Sequence, residues 1–118
     1  MKKLFIAAFM FVSSFGTNVM ADGHAIKMGI ILGFTGPIES LTPAMAASAE
    51  LAFKEASDSG SLLGGKKIEV VRADSTCVDS AAATAAAEGV ISQGVAAIMG
   101  ADCSGVTGAI ASNVAVPN

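Results

Sequence analysis

Short apolar runs alternate along this chain with longer runs in which apolar residues recur every three or four positions. The short runs predict strands over residues 26–32, 66–73 and 95–99, with a fourth beginning at 114–116. The longer runs predict helices that begin at residues 42, 79 and 104 and end near residues 60, 94 and 113. Strands that alternate with helices form a parallel sheet with right-handed crossovers. The sequence therefore predicts an α/β fold whose sheet is doubly wound and Rossmann-like.

Each predicted helix begins at a residue suited to start one. Thr42 precedes Pro43, a pair typical of an N-cap followed by the first helical position. Asp79 and Ser104 stand at the next two helix starts, and their side-chain oxygens can accept hydrogen bonds from free backbone N–H groups. Two interpretations of Ser104 stay open: it only caps its helix, or this helix start also holds an anion.

The amino terminus has the pattern of a secretory signal peptide. Lys2 and Lys3 form a charged start, residues 4–12 are apolar, and small or aliphatic residues occupy positions 19–21. The apolar segment is too short to cross a bilayer, which needs about 20 apolar residues. We therefore predict that residues 1–21 are a signal peptide, cleaved after Ala21 on export to the periplasm. The alternative is an uncleaved membrane anchor.

Residues 22–118 suffice for one domain at most. A new apolar segment begins just before the chain ends, so we expect these residues to be the amino-terminal part of a longer domain. Without residues 1–21, five basic and ten acidic side chains remain, a formal net charge of −5. The chain has no basic patch and no tryptophan or tyrosine to stack on bases, which argues against a nucleic-acid partner.

The topology points to a binding site before any motif does. In doubly wound sheets, ligands bind beyond the carboxyl ends of the strands, where the strand order reverses. If the first and third strands are neighbours, this reversal lies between the loops at residues 33–41 and 101–105. The candidate ligand-binding residues in these loops are Phe34, Leu41, Asp102, Cys103, Ser104 and Gly105.

These loops carry no cofactor or catalytic motif. The glycines at positions 29, 33 and 36 lack the spacing of a dinucleotide site. Gly100 and Gly105 have the spacing of a P-loop, but Val106 stands where that motif requires lysine, which excludes a nucleotide triphosphatase. No His-Cys-acid cluster has metal spacing, and no general base is evident for Ser104. We predict no cofactor, no metal and no enzymatic activity.

The chain has two cysteines, Cys77 after the second strand and Cys103 after the third. In an exported protein, two cysteines favour a disulfide. Strands two places apart lie roughly 9.6 Å apart, whereas a disulfide needs Cα atoms within about 7 Å. A bond therefore requires the two loops to lean together over the first strand. The alternative is a pair of buried free thiols.

Several segments, taken together, resemble a known family. They are Gly36-Pro37 after the first strand, residues 64–71 leading to Asp74, residues 95–100, Cys103-Ser104 and Val116-Pro117. In order and spacing they are similar to the amino-terminal part of periplasmic solute-binding proteins of the leucine/isoleucine/valine-binding type. The resemblance covers residues 26–118.

The resemblance implies two α/β lobes that close on a ligand by hinge motion. It implies a monomer that delivers amino acids or related small molecules to an ABC permease in the inner membrane. Cys77 and Cys103 match the family's disulfide, and Ser104 matches a serine that helps to hold the α-carboxylate of the ligand. A ligand-sensing receptor domain of the same fold is the alternative.

Two positions depart from the family pattern. Members that bind aliphatic amino acids often carry an aromatic residue a few positions after Gly-Pro, where this chain has Leu41 or a residue beside it. Asp102 is acidic where an apolar residue is common. An acid in the pocket would favour an amine or amide ligand.

Overall fold

The structure is a computed structural model that describes residues 25–117. The predicted signal peptide and its cleavage site lie outside the described residues. The strands are β1 (Ile26–Leu32), β2 (Ile68–Asp74) and β3 (Ala97–Gly100). The helices are α1 (Thr42–Asp58), α2 (Ser80–Ser92) and α3 (Ser104–Ile110), and α3 continues into a single π-helical turn at Ala111–Ala115.

The three strands form one parallel sheet in the order β2-β1-β3. β1 is central, and its Ile30 lies opposite Arg72 of β2 and Met99 of β3. The first and third strands are therefore neighbours, and the strand order reverses between them. The alternation of strands and helices and the parallel sheet confirm the predicted α/β architecture.

The carboxyl half of β1 is buried on both faces, which explains why residues 28–32 form a continuous apolar run. Ile30 and Leu32 face one side and pack with Ala46 of α1. Ile31 faces the other side, against α2 and α3. That second core also contains Ala83, Ala87, Val90, Val106, Ile110 and Val114. Helices on both faces of the sheet make the fold doubly wound.

The predicted fourth strand is wrong. Residues 111–115 continue α3 as a helical turn, and Val114 is buried in the core beside Ile110. Val106, Ile110 and Val114 recur every four positions, which places them on one helical face. The short valine-rich run had the composition of a strand, but the helical spacing with the preceding apolar residues decides its structure.

The helix starts confirm one predicted cap and correct two. Asp79 is the N-cap of α2, and its carboxylate accepts hydrogen bonds from the backbone N–H groups of Ala81 and Ala82. Thr42 is not a cap, because Leu41 precedes the helix and the Thr42 hydroxyl donates to the carbonyl of Gly33 at 3.1 Å.

Ser104 is also not an N-cap. Cys103 has the extended conformation of that position (φ −112°, ψ 132°), so Ser104 becomes the first helical residue. The Ser104 side chain hydrogen-bonds to no other described residue and so caps no backbone N–H group. The interpretation of Ser104 as a helix cap is therefore wrong, and the interpretation that this helix start holds an anion stays a prediction.

Within residues 25–117, no helix combines the length and apolar character needed to cross a membrane.

Candidate ligand-binding edge

Three loops follow the parallel strands and meet at the carboxyl edge of the sheet, at residues 33–41, 75–79 and 101–103. Because β1 is central, the loop after it lies between the other two. The strand-order reversal between β1 and β3 occurs at this edge, which is where ligands bind in open α/β sheets.

A disulfide between Cys77 and Cys103 joins the loops after β2 and β3, with a Cα–Cα distance of 5.3 Å. The two loops lean together over β1, as the sequence required for a bond, and the described residues contain no free cysteine. The predicted pairing is confirmed. Gly33 lies beneath the bond, where an added Cβ would come within 3.2 Å of the Cys77 Cβ, so a larger residue would push against the bridge.

The carboxylate of Asp102 lies among all three loops. One oxygen, Oδ2, accepts the backbone N–H of Gly33 at 2.8 Å, and Oδ1 accepts the Ser75 hydroxyl at 3.4 Å. Gly33 follows β1 and Ser75 follows β2, whereas Asp102 itself follows β3. Both oxygens of this side chain therefore have partners within the protein, and contact of Asp102 with a ligand amine stays a prediction.

A second carboxylate, Asp74 at the end of β2, holds the first two loops together. Its Oδ1 accepts the backbone N–H groups of Thr76 at 2.8 Å and of Thr35 at 3.3 Å. Its Oδ2 accepts the Thr35 hydroxyl. Burial on its own raises the pKa of Asp74, but these hydrogen bonds outweigh burial and hold that pKa below its ordinary value of 3.8.

Asp74→Asn is expected to lower the free energy of unfolding by about 1–2 kcal/mol near neutral pH, because an amide replaces acceptor oxygens that hold three donors. Since the folded-state pKa is depressed, the stabilisation by the carboxylate is complete above pH 3.8 and is lost as the pH falls through the folded-state value. Urea unfolding of both proteins near pH 7 and at about pH 3 measures this.

The difference in the free energy of unfolding between the wild type and Asp74→Asn should be smaller at about pH 3 than near pH 7. Glu69→Gln removes an exposed carboxylate from the same strand and serves as the control, for which we expect little change at either pH. A difference that is constant across the pH range would show that the Asp74 carboxylate is not held in its ionised form.

The two candidate residues from the first loop have different environments. Phe34 is half-buried against the core on the α1 side of the sheet, and the guanidinium of Arg72 lies 5.5 Å from its ring centroid. Arg72 also donates two hydrogen bonds to Glu50 of α1, at 2.6 and 2.8 Å. Leu41 is 60 % exposed at the start of α1. Leu41 thus has exposed apolar surface, whereas Phe34 packs against the core of the lobe.

Ser104 and Gly105 are exposed at the start of α3. The Ser104 hydroxyl hydrogen-bonds to no other described residue, and a side chain added at Gly105 would meet no atom within 4 Å besides its chain neighbours and the backbone of its own helix. The first backbone N–H groups of a helix have no partner within it. A hydroxyl beside such N–H groups can bind a carboxylate, and contact of this corner with a ligand stays a prediction.

The contacts of Asp102 were not evident from the sequence, because Gly33 and Ser75 are distant along the chain. The position of Asp74 at this edge could have been predicted from the sequence, since a carboxylate at the end of a parallel strand lies at the edge where ligands bind. Within the described residues, no group of histidine, cysteine and acidic side chains could hold a metal ion.

A groove also lies on another part of the surface, away from the carboxyl edge. A groove of about 460 Å³ runs between α1 and β2 and includes Ser57, Asp58 and Lys67, near the amino end of the strand. Its charged groups pair with one another: Asp58 binds both Lys54 and Lys67. Because it lies at the amino end of β2, this groove is separate from the carboxyl edge.

Comparison with known proteins agrees with this geometry. A family model described as periplasmic binding protein matches residues 25–117. Among solved structures, the chain is similar to the branched-chain amino acid transporter substrate binding protein LivJ from Streptococcus pneumoniae in complex with isoleucine, with a TM-score of 0.68 and 30 % identity. The match covers 78 % of this chain and 26 % of LivJ, so the chain spans about a quarter of that protein's length. No curated protein matches the chain in a sequence comparison. The family model covers nearly the whole described chain, and the chain therefore belongs to the periplasmic binding protein family.

Proposed function

We propose that this chain is the first part of the ligand-binding region of an extracytoplasmic solute-binding protein that delivers a branched-chain amino acid to an ABC permease. The observation that carries the proposal is the similarity to LivJ, whose structure contains isoleucine.

The groups exposed at the carboxyl edge suit the two ends of such a ligand. The Ser104 hydroxyl and the first N–H groups of α3 receive the α-carboxylate. Leu41 provides exposed apolar surface for an aliphatic side chain. A second lobe, contributed by chain that follows Asn118 in the whole protein, closes over the ligand and completes the site, because small ligands bind tightly when most of their surface is buried.

Titration calorimetry on the protein that contains this region and its second lobe tests the proposal. We expect isoleucine, leucine and valine to bind, and isoleucinamide, which lacks the carboxylate, to bind at least about tenfold more weakly. Tighter binding of the amide would contradict the assignment of Ser104 to a carboxylate and would favour an amine or amide ligand. Failure of all three amino acids to bind would overturn the proposed ligand class.

A further inference from the structure

The environment of Asp102 differs from that of a ligand-binding acid. Its two carboxylate oxygens accept from the Gly33 N–H and the Ser75 hydroxyl. Gly33 is buried and Ser75 is fully buried, and among the described residues no buried side-chain polar atom lacks a partner. The carboxylate thus satisfies a buried backbone donor that would otherwise have none.

These contacts converge on the residues that precede the ligand site. Asp102 is followed directly by Cys103 and Ser104, so fixing its side chain fixes the chain that leads into α3. The hydroxyl of Thr107 strengthens the same loop by donating to the carbonyls of Ala101 and Cys103, each at 2.9 Å. The disulfide ties Cys103 to the loop after β2, whereas the Asp102 carboxylate also reaches the loop after β1.

We propose that Asp102 is a positioning residue for ligand binding: it locks the loops after β1 and β2 onto the loop after β3 and thereby sets the place of Ser104 and Gly105. This inference rests on the proposed function and adds a residue that acts without touching the ligand. It replaces the idea that the acid recognises an amine.

Two substitutions separate positioning from charge recognition. In D102N, the amide oxygen can accept from Gly33 and the amide nitrogen can donate to the Ser75 hydroxyl, so the connection between the loops is kept while the charge is lost. In D102E, the charge is kept, but an added methylene displaces the carboxylate from both partners. Positioning predicts isoleucine affinity near that of the wild type for D102N and about tenfold weaker binding for D102E. Recognition of an ammonium group predicts the opposite order.

The titration is made with isoleucine at temperatures where all proteins are folded. Ser57→Ala, which removes the hydroxyl that accepts from the Ile68 N–H at the amino end of β2, is the control for a loss of stability alone and should leave the affinity unchanged. The proposal is overturned if D102N binds as weakly as D102E, if D102N is the weaker of the two, or if both bind like the wild type.

A ligand-free measurement keeps this inference separate from the proposed function. Amide hydrogen exchange by NMR should show the Gly33 N–H protected in the wild type and in D102N but exchanging faster in D102E, with shifted resonances for Ser104 and Gly105 only in D102E. If isoleucine fails to bind to the wild type, the proposed ligand class fails, and this exchange pattern still decides whether Asp102 positions the loop. Equal exchange in all three proteins would overturn the inference.

Discussion

Removing the disulfide by replacing Cys77 and Cys103 with alanine is expected to lower the free energy of unfolding by about 3.5 kcal/mol. The bond closes a loop with a sequence separation of 26 residues that contains α2 and β3. Closing a loop of this length restricts the unfolded chain, and the chain-entropy relation gives the stated value. A region with a small core has a small free energy of unfolding, so the loss of the disulfide should remove a large fraction of it.

Denaturant unfolding of the oxidised wild type and the double variant measures the difference. The reduced wild type is the matched control, because it keeps both cysteine side chains and lacks only the bond. It should resemble the double variant, and reductant should not affect the variant itself. If the variant unfolds within about 1 kcal/mol of the oxidised wild type, the bond does not constrain the unfolded chain as the relation requires.

The same bond shows what could be predicted from the sequence. Its pairing followed from two cysteines in a chain with a predicted export signal and from a resemblance, and the geometry of the sheet required only that the loops lean together. β1 was predictable because burial on both faces demands the unbroken apolar run at residues 28–32. The cap of α2 was predictable because Asp79 acts through neighbours two and three residues away.

The errors have local physical causes. The residues around Val114 had the composition of a strand, yet their burial is set by helical spacing from Val106 and Ile110. Ser104 was predicted to be the N-cap, but Cys103 occupies that position and Ser104 is the first helical residue. The extended conformation of Cys103 decides where the helix begins, and no side chain in the sequence indicated it. The hydrogen bond from Gly33 to Asp102 was not predicted, because the two residues lie 69 positions apart along the chain.

Ser104→Ala is expected to weaken isoleucine binding by about 1–3 kcal/mol, which is roughly 5- to 150-fold in the dissociation constant. The substitution removes a hydrogen bond to a charged carboxylate, while the backbone N–H groups of Gly105 and Val106 remain, so binding weakens without vanishing. Because Ser104 is exposed and is not a cap, the free energy of unfolding should change by less than about 0.5 kcal/mol.

Titrations of three variants isolate the hydroxyl of Ser104. Ser104→Thr keeps it and should retain most of the affinity, and Ser112→Ala removes an exposed serine from the far end of the same helical segment and should bind as the wild type does. With isoleucinamide in place of isoleucine, the loss caused by Ser104→Ala should largely disappear, because the neutral amide offers no charge for the hydroxyl to bind. Affinities for isoleucine that are equal in Ser104→Ala and Ser112→Ala would remove Ser104 from the site and leave the backbone at the start of α3 as the only anchor for the carboxylate.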